Sequence, residues 1–299
     1  MTADKSSLTG LVITQHGATA IVEDSEGQLY QCKIRRSLGR LVCGDRVQFQ
    51  IENNDNGIIT TLEKRSSVLE RPLNNGQSRL VAANITRIVV VMAVQPPFSE
   101  ALIDRYLVIA ELMRIQPVIV LNKTDLLNEQ SRAATLKQFA CYEHAGYSVL
   151  ETSVEKEHGL STLNEQLQSH TSILVGQSGV GKSSLVKALL PDIEIKIGAL
   201  KNTLHGRHTT STSVLYRLPN GGELIDSPGV RDFGVWHLEA NQLARGYREF
   251  GKWLDQCRFN NCSHTHEPGC AVHAAADQGD IDPARYQRYL AMYAELSAL

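Results

Sequence analysis

Residues 172–190 run from an apolar strand, SILV, through the loop GQSGVGKSS (176–184) into the helical segment SSLVKALL. The spacing is Gly-x4-Gly-Lys-Ser, and it restricts the fold more than any other stretch of the chain. A strand must end where the loop begins, and a helix must start where the loop ends. The glycines let backbone N–H groups turn inward around phosphate oxygens, and the helix N-terminus adds partial positive charge. Gly176, Gln177, Ser178, Gly179, Val180, Gly181, Lys182, Ser183 and Ser184 form the candidate phosphate loop. In this layout Lys182 neutralises the β- and γ-phosphates and the Ser183 hydroxyl ligates Mg²⁺.

The sequence before this loop extends the same pattern. ITRIVVVMAV (85–94) precedes the helical SEALIDRYLVIAELMR, which leads to the strand PVIVL and then NKTD (122–125). A helical EQSRAATLKQFACYEHAG, a short strand SVLETS and a helical LSTLNEQLQS follow. Strands alternating with helices predict a doubly wound, mostly parallel sheet, with ligands at the carboxyl ends of the strands. NKTD stands at such an end. The Asp125 carboxylate can accept from guanine N1–H and the N2 amino group, donors that adenine lacks. Asn122 is expected to support the base edge, the Lys123 stem to lie along the purine face, and Thr124 to complete the loop. Thr152 and Ser153, in ETSVEKEHGL (151–160), form a candidate second base loop.

Two further nucleotide motifs follow the phosphate loop. DSPG (226–229) ends the short strand GGELI, so Asp226 is expected to hold Mg²⁺ through a water and the Gly229 amide to reach the γ-phosphate. Between them, GRHTTST (206–212) reads as a switch in which Thr210 closes over Mg²⁺ and the γ-phosphate, against the plainer reading of an ordinary surface loop. Every part of a GTP site is present, but the base loop precedes the phosphate loop. A sheet can be cut in one loop and rejoined elsewhere when its original ends lie close together. The order therefore predicts a circularly permuted domain.

Before this region, LVITQH, TAIVED, QLYQCKI, RVQFQIE and IITTLEK predict five short strands between residues 9 and 64, closing as an OB-type β-barrel. Such barrels bind RNA or serve as scaffolds without a ligand. Lys33, Arg35, Arg36, Arg40 and Arg46 crowd this part, as a solvated face or an RNA contact. The formal net charge of −2 excludes a general polyanion binder. RPLNNGQSR (71–79) reads as a linker.

Six cysteines divide into two sets. Cys32, Cys43 and Cys141 are scattered and read as small core residues, whereas Cys257, Cys262 and Cys270 cluster in CRFNNCSHTHEPGC (257–270). Three thiolates and one imidazole close a tetrahedral Zn²⁺ site with no open position, which suggests a structural metal. His264, His266 and His273 all satisfy the spacing. The helical tail DPARYQRYLAMYAELSAL repeats Tyr286, Leu290 and Tyr293 as a packing face. MTADKSSLTG has no apolar core of a signal peptide, and runs such as IVVVMAV (88–94) fall well short of the roughly 18 residues of a membrane span. A cytosolic protein without membrane contact is expected.

The rotated motifs NKTD, GQSGVGKSS, GRHTT and DSPG, with the N-terminal barrel and the C-terminal cysteine cluster, resemble the RsgA (YjeQ) family of ribosome small-subunit-dependent GTPases. The resemblance covers essentially the whole chain. It implies a GTPase that converts GTP to GDP and phosphate, binds the small (30S) ribosomal subunit and its 16S rRNA, and assists late maturation of that subunit. It also favours His264 as the fourth ligand, with one structural Zn²⁺ per chain. Where Ras-like enzymes carry a water-orienting glutamine this chain has Val230, and the resemblance points instead to His208 as the catalytic residue. The expected plan is a barrel at 1–70, a permuted GTPase domain at 71–235 and a helical zinc module at 236–299, acting as a monomer. A GTP-dependent switch acting on another RNA or protein, with incidental hydrolysis, is the alternative. A zinc hydrolase is disfavoured by the filled metal shell.

Overall fold

The structure is a computed structural model that describes residues 7–53, 55–72, 78–192, 213–227 and 238–298. Contacts divide the chain into two compact units: 1–87 with 160–178 and 182–234, and 88–159 with 179–181 and 235–299.

The first unit contains the barrel. Strands β1 (Leu8–His16), β2 (Thr19–Glu23), β3 (Leu29–Ile34), β4 (Arg46–Asn53) and β5 (Asn56–Leu62) close in the order β1-β2-β3-β5-β4. All pairs are antiparallel except β3 with β5. The expected five-stranded closed barrel is therefore present. Its centre is filled by Val12, Ala20, Val22, Tyr30, Cys32, Leu41, Val47, Phe49 and Ile59. At one end Asp45, fully buried, accepts two hydrogen bonds from Arg65 at 2.7 and 2.9 Å and one from Val42 N–H at 2.7 Å.

The stretch expected as a linker is partly folded. β6 (Val68–Pro72) and β7 (Ser78–Ala83) pair antiparallel, so residues 71–72 and 78–79 belong to strands. Pro, Asn and Gly around 72–76 hid the two flanking strands, which are short and polar at their ends. The expected boundary at 70/71 falls within β6. The same unit holds β11 (Thr171–Val175), the helices α3 (Leu160–Leu167) and α4 (Lys182–Leu189), and the antiparallel pair β12 (Val214–Arg217) and β13 (Glu223–Asp226), with β13 parallel to β11.

In the second unit, β9 (Gln116–Asn122) pairs in parallel with β10 (Ser148–Glu151). β8 (Arg87–Ala93) enters this unit at Ile88. The helices α1 (Glu100–Leu112) and α2 (Glu129–His144) alternate with these strands. Side chains at the helix starts satisfy the exposed N–H groups: Ser99 accepts from Leu102, and Asn128 with Ser131 makes a capping box. β8 and β9 are buried nearly throughout, as strands covered on both faces must be.

The C-terminal residues of this unit form α5 (Ala240–Leu243), several 3₁₀ turns, α6 (Ala271–Asp277) and α7 (Pro283–Ser297). Tyr247, Phe250, Val272, Ile281, Tyr286, Tyr289 and Met292 make their shared core, to which Leu290 and Tyr293 add partly buried contacts. Arg285 of α7 is 1% exposed and donates to Asp104 of α1 at 2.7 Å, while also pairing with Glu249. Burial opposes its charge, but Asp104 and Glu249 outweigh burial and raise its pKa. Arg288 adds bonds to Asp104 at 2.6 Å and Glu100 at 2.9 Å. Breaking one partner of such a buried pair costs about 3–5 kcal/mol, because the other charge remains uncompensated. No helix among the described residues is long and apolar enough to cross a membrane.

Candidate nucleotide site and metal centre

NKTD lies where the sequence put it, at the end of β9. Lys123 adopts left-handed backbone angles, φ 61° and ψ 36°, and a 3₁₀ turn (Thr124–Leu126) follows. That kink turns Asp125 to the surface. One of its oxygens accepts from the Ser153 hydroxyl at 2.6 Å, so the two candidate base loops converge. Thr124 reinforces this by donating from N–H and Oγ1 to the Thr152 carbonyl, at 3.2 and 3.1 Å.

Asn122, expected at the base edge, is 2% exposed and ties three loops together. Its Nδ2 donates to the Val180 carbonyl at 2.9 Å, and its Oδ1 accepts from the Thr152 hydroxyl at 3.0 Å. Gly181, at φ +96°, is required here: a Cβ would lie 2.4 Å from Asn122 Nδ2. Lys123 Nζ donates to the carbonyls of Gln95 and Gly179, at 2.7 and 2.6 Å. NKTD thus holds residues 179–180 of the candidate phosphate loop by hydrogen bonds to its backbone.

Within the other unit, β11 is buried along its whole length and delivers the chain to Gly176. Gly176 adopts φ 138°, Gly179 φ 82° and Gly181 φ 96°, conformations that favour glycine. α4 opens at Lys182, whose Nζ donates to the Gly176 and Gln177 carbonyls at 2.5 and 2.7 Å. Ser183 and Ser184 are exposed on the first turn of α4. Asp226 is the last residue of β13 and pairs with Val214. His208, Thr210, Gly229 and Val230 lie outside the described residues.

Cys257, Cys262, His264 and Cys270 converge, with one candidate ligand atom from each lying within 4.8 Å of all the others. His264 Nδ1 is 3.4 Å from Cys257 Sγ and 3.5 Å from Cys270 Sγ, and those sulfurs are 4.0 Å apart. Zn–S bonds of about 2.3 Å in a tetrahedron put sulfurs about 3.8 Å apart, so the donor set fits the ion. The cysteines are free thiols. Burial lowers the His264 pKa, favouring the neutral imidazole a metal requires. The other two histidines are engaged elsewhere: His266 is exposed beside Thr265, and His273 stacks on Tyr286 and faces Asp277.

Sequence reasoning missed what shapes this loop. The Glu267 carboxylate accepts from Ser263 N–H and Oγ at 2.7 and 2.6 Å, and from the N–H groups of Thr265 and His266 at 3.2 Å. Burial alone would raise its pKa, but these donors hold it well below the usual carboxylate range. Tyr286 and Tyr289 of α7 donate to the carbonyls of His264 and Ser263, at 2.9 and 2.6 Å. The sequence carried part of the signal, since Ser263 and Glu267 flank His264; the structure adds that His264 sits at positive φ, 57°.

Strand, glycine loop and helix, with an Asn-Lys-x-Asp loop clamped upon the glycine loop and preceding it in sequence, define a phosphate-loop GTPase with rotated motifs. The comparisons agree and go further. A family model for the RsgA GTPase matches residues 62–236. Curated relatives called small ribosomal subunit biogenesis GTPase RsgA include one from Haemophilus influenzae, 43% identical over 97% of this chain and 86% of the relative. Another, from Chromohalobacter salexigens, is 48% identical over 94% of this chain and 84% of the relative. Among solved structures, YjeQ from Thermotoga maritima matches with a TM-score of 0.84 at 31% identity, covering 98% of this chain and 100% of that one. YloQ, described as a circularly permuted GTPase, matches with a TM-score of 0.80 at 28% identity, covering 100% and 98%. The chain belongs to the RsgA GTPase family and is a GTP hydrolase.

Proposed function

We propose that this GTPase binds the small (30S) ribosomal subunit in a GTP-dependent manner and assists its late maturation. The observation that carries the nucleotide half is the Asn122 amide, bonded at once to the Val180 carbonyl and the Thr152 hydroxyl. It ties the two base loops to Val180 of the phosphate loop although their order in the sequence is rotated. The ribosomal half is supported by the relatives' shared description as small ribosomal subunit biogenesis GTPases.

In this reading Asp125 selects guanine, with Lys123, Thr124, Thr152 and Ser153 shaping the base pocket. The backbone of residues 176–181 and Lys182 receive the phosphates, and Ser183, Thr210 and Asp226 hold Mg²⁺. Gly229 senses the γ-phosphate and His208 orients the attacking water. Bound with GTP, the magnesium ion neutralises charge on the β- and γ-oxygens. Cys257, Cys262, His264 and Cys270 hold one structural Zn²⁺. The barrel (1–70), with its exposed Lys33, Arg35, Arg36, Arg40 and Arg46, and the zinc module (236–299) contact 16S rRNA, flanking the GTPase domain (71–235). The protein acts as a cytoplasmic monomer.

Co-sedimentation with purified small subunits tests the proposal. Pelleting should be strong with a non-hydrolysable GTP analogue and weak with GDP, and His208→Ala should pellet like the wild type while hydrolysing slowly. Equal pelleting in both nucleotides would overturn it.

A further inference from the structure

Four consecutive residues of β1, Leu11 to Thr14, are buried. A regular strand would send Val12 and Thr14 to the same face. A bulge prevents this: Val12 pairs with Val22, but Thr14 pairs with Ile21. Val12, Val22 and Ala20 belong to the barrel core, so the slipped register turns Thr14 to the outside with Ile21. There Thr14, 1% exposed, donates from its hydroxyl to the Ser213 carbonyl at 3.0 Å. Ser213 immediately precedes β12, whose register sets Val214 against Asp226 and so Ser213 against Ser227. Ser213 Oγ donates to Ser227 Oγ at 2.8 Å. Ser227 is itself 7% exposed and is the neighbour of Asp226. At the far end of β12, Arg217 pairs with Glu23 of β2 at 2.7 Å and Glu223 of β13 at 2.5 Å. The barrel therefore grips β12 at both ends, and at one end the grip continues to the residue beside the expected magnesium carboxylate.

We propose that Thr14 is a positioning residue for GTP hydrolysis: through Ser213 and Ser227, the barrel fixes Asp226 in the place from which it serves the magnesium–nucleotide complex. This rests on the reading of Asp226 as a magnesium-holding residue. Thr14→Val keeps the side-chain shape and removes the donor, whereas Thr14→Ser keeps the donor and removes a methyl group. The measurement is the Mg²⁺ concentration giving half-maximal binding of a fluorescent, non-hydrolysable GTP analogue, read beside kcat and KM.

Thr14→Val should raise that midpoint about fivefold, the worth of one net hydrogen bond. Its affinity for GDP without Mg²⁺ should be unchanged, because the base loops lie in the other compact unit. Thr14→Ser should restore the wild-type midpoint, and Ser227→Ala should reproduce the shift from the opposite end of the relay. Ser227→Ala carries the test if Thr14→Val fails to fold. A wild-type midpoint in both Thr14→Val and Ser227→Ala overturns the proposal, as does a Thr14→Ser midpoint shifted as far as that of Thr14→Val. Asp226→Asn separates the two readings. If it leaves the midpoint unmoved, the magnesium assignment falls. If it moves the midpoint while the relay variants do not, the relay alone falls.

Discussion

Asp125 sits on a surface turn with one carboxylate oxygen anchored by Ser153. Replacing it by asparagine leaves an oxygen for Ser153 to bond, so the loop should persist and only the base edge should change. A hydrogen bond to a charged group contributes roughly 1.5–3 kcal/mol, so Asp125→Asn should weaken GTP binding at least about tenfold. It should improve xanthine nucleotides, whose exocyclic oxygen suits an amide donor. Calorimetric titration of both nucleotides checks this, and unchanged GTP affinity would remove NKTD as the base loop. The residue types of this site were legible because the chemistry demands them at fixed spacing. What Asn122 does was not, since its partners Thr152 and Val180 are 30 and 58 residues away in sequence. Thr14 was hidden more deeply. A bulge re-aims it, and one strand read alone carries no record of its register.

Among the elements, the helices and buried strands announced themselves by period and length, while β6 and β7 were lost in a stretch rich in turn residues. The C-terminal helices were visible as helices, but their attachment was not, because Arg285 reads as a surface residue until Asp104 and Glu249 surround it. That attachment makes a prediction about the metal. Ligand binding supplies folding free energy to a zinc loop. Cys262→Ser should therefore lose the proposed single Zn²⁺ and speed amide exchange across 257–270. α7 is clasped to α1 by Arg285 and Arg288 independently of the metal, so its interior should stay protected. Exchange mass spectrometry with metal analysis reads both. Retained zinc, or loss of protection along all of α7, would contradict the assignment.

On the scale of the whole molecule, the motif order was the clearest feature of the sequence, and the structure explains how the chain accommodates it. Residues 88–159, with the candidate base loops, share a compact unit with 179–181 and the C-terminal cysteine cluster, while the barrel shares the other with Lys182, Ser183 and Asp226. The expected nucleotide motifs are thus distributed over both units, with 179–181 of the phosphate loop grouped with NKTD, and each unit holds one element proposed to contact rRNA. The sequence could not reveal this grouping, which depends on contacts between segments more than a hundred residues apart. With Val230 standing where a water-orienting glutamine is found in Ras-like enzymes, turnover should be slow in the free protein and depend on the partner. The decisive measurement is phosphate release from GTP and from ATP, with and without purified small ribosomal subunits. The account predicts slow GTP hydrolysis alone, strong acceleration by small but not large subunits, and no turnover of ATP; equal hydrolysis of ATP, or a GTP rate indifferent to the small subunit, would contradict it.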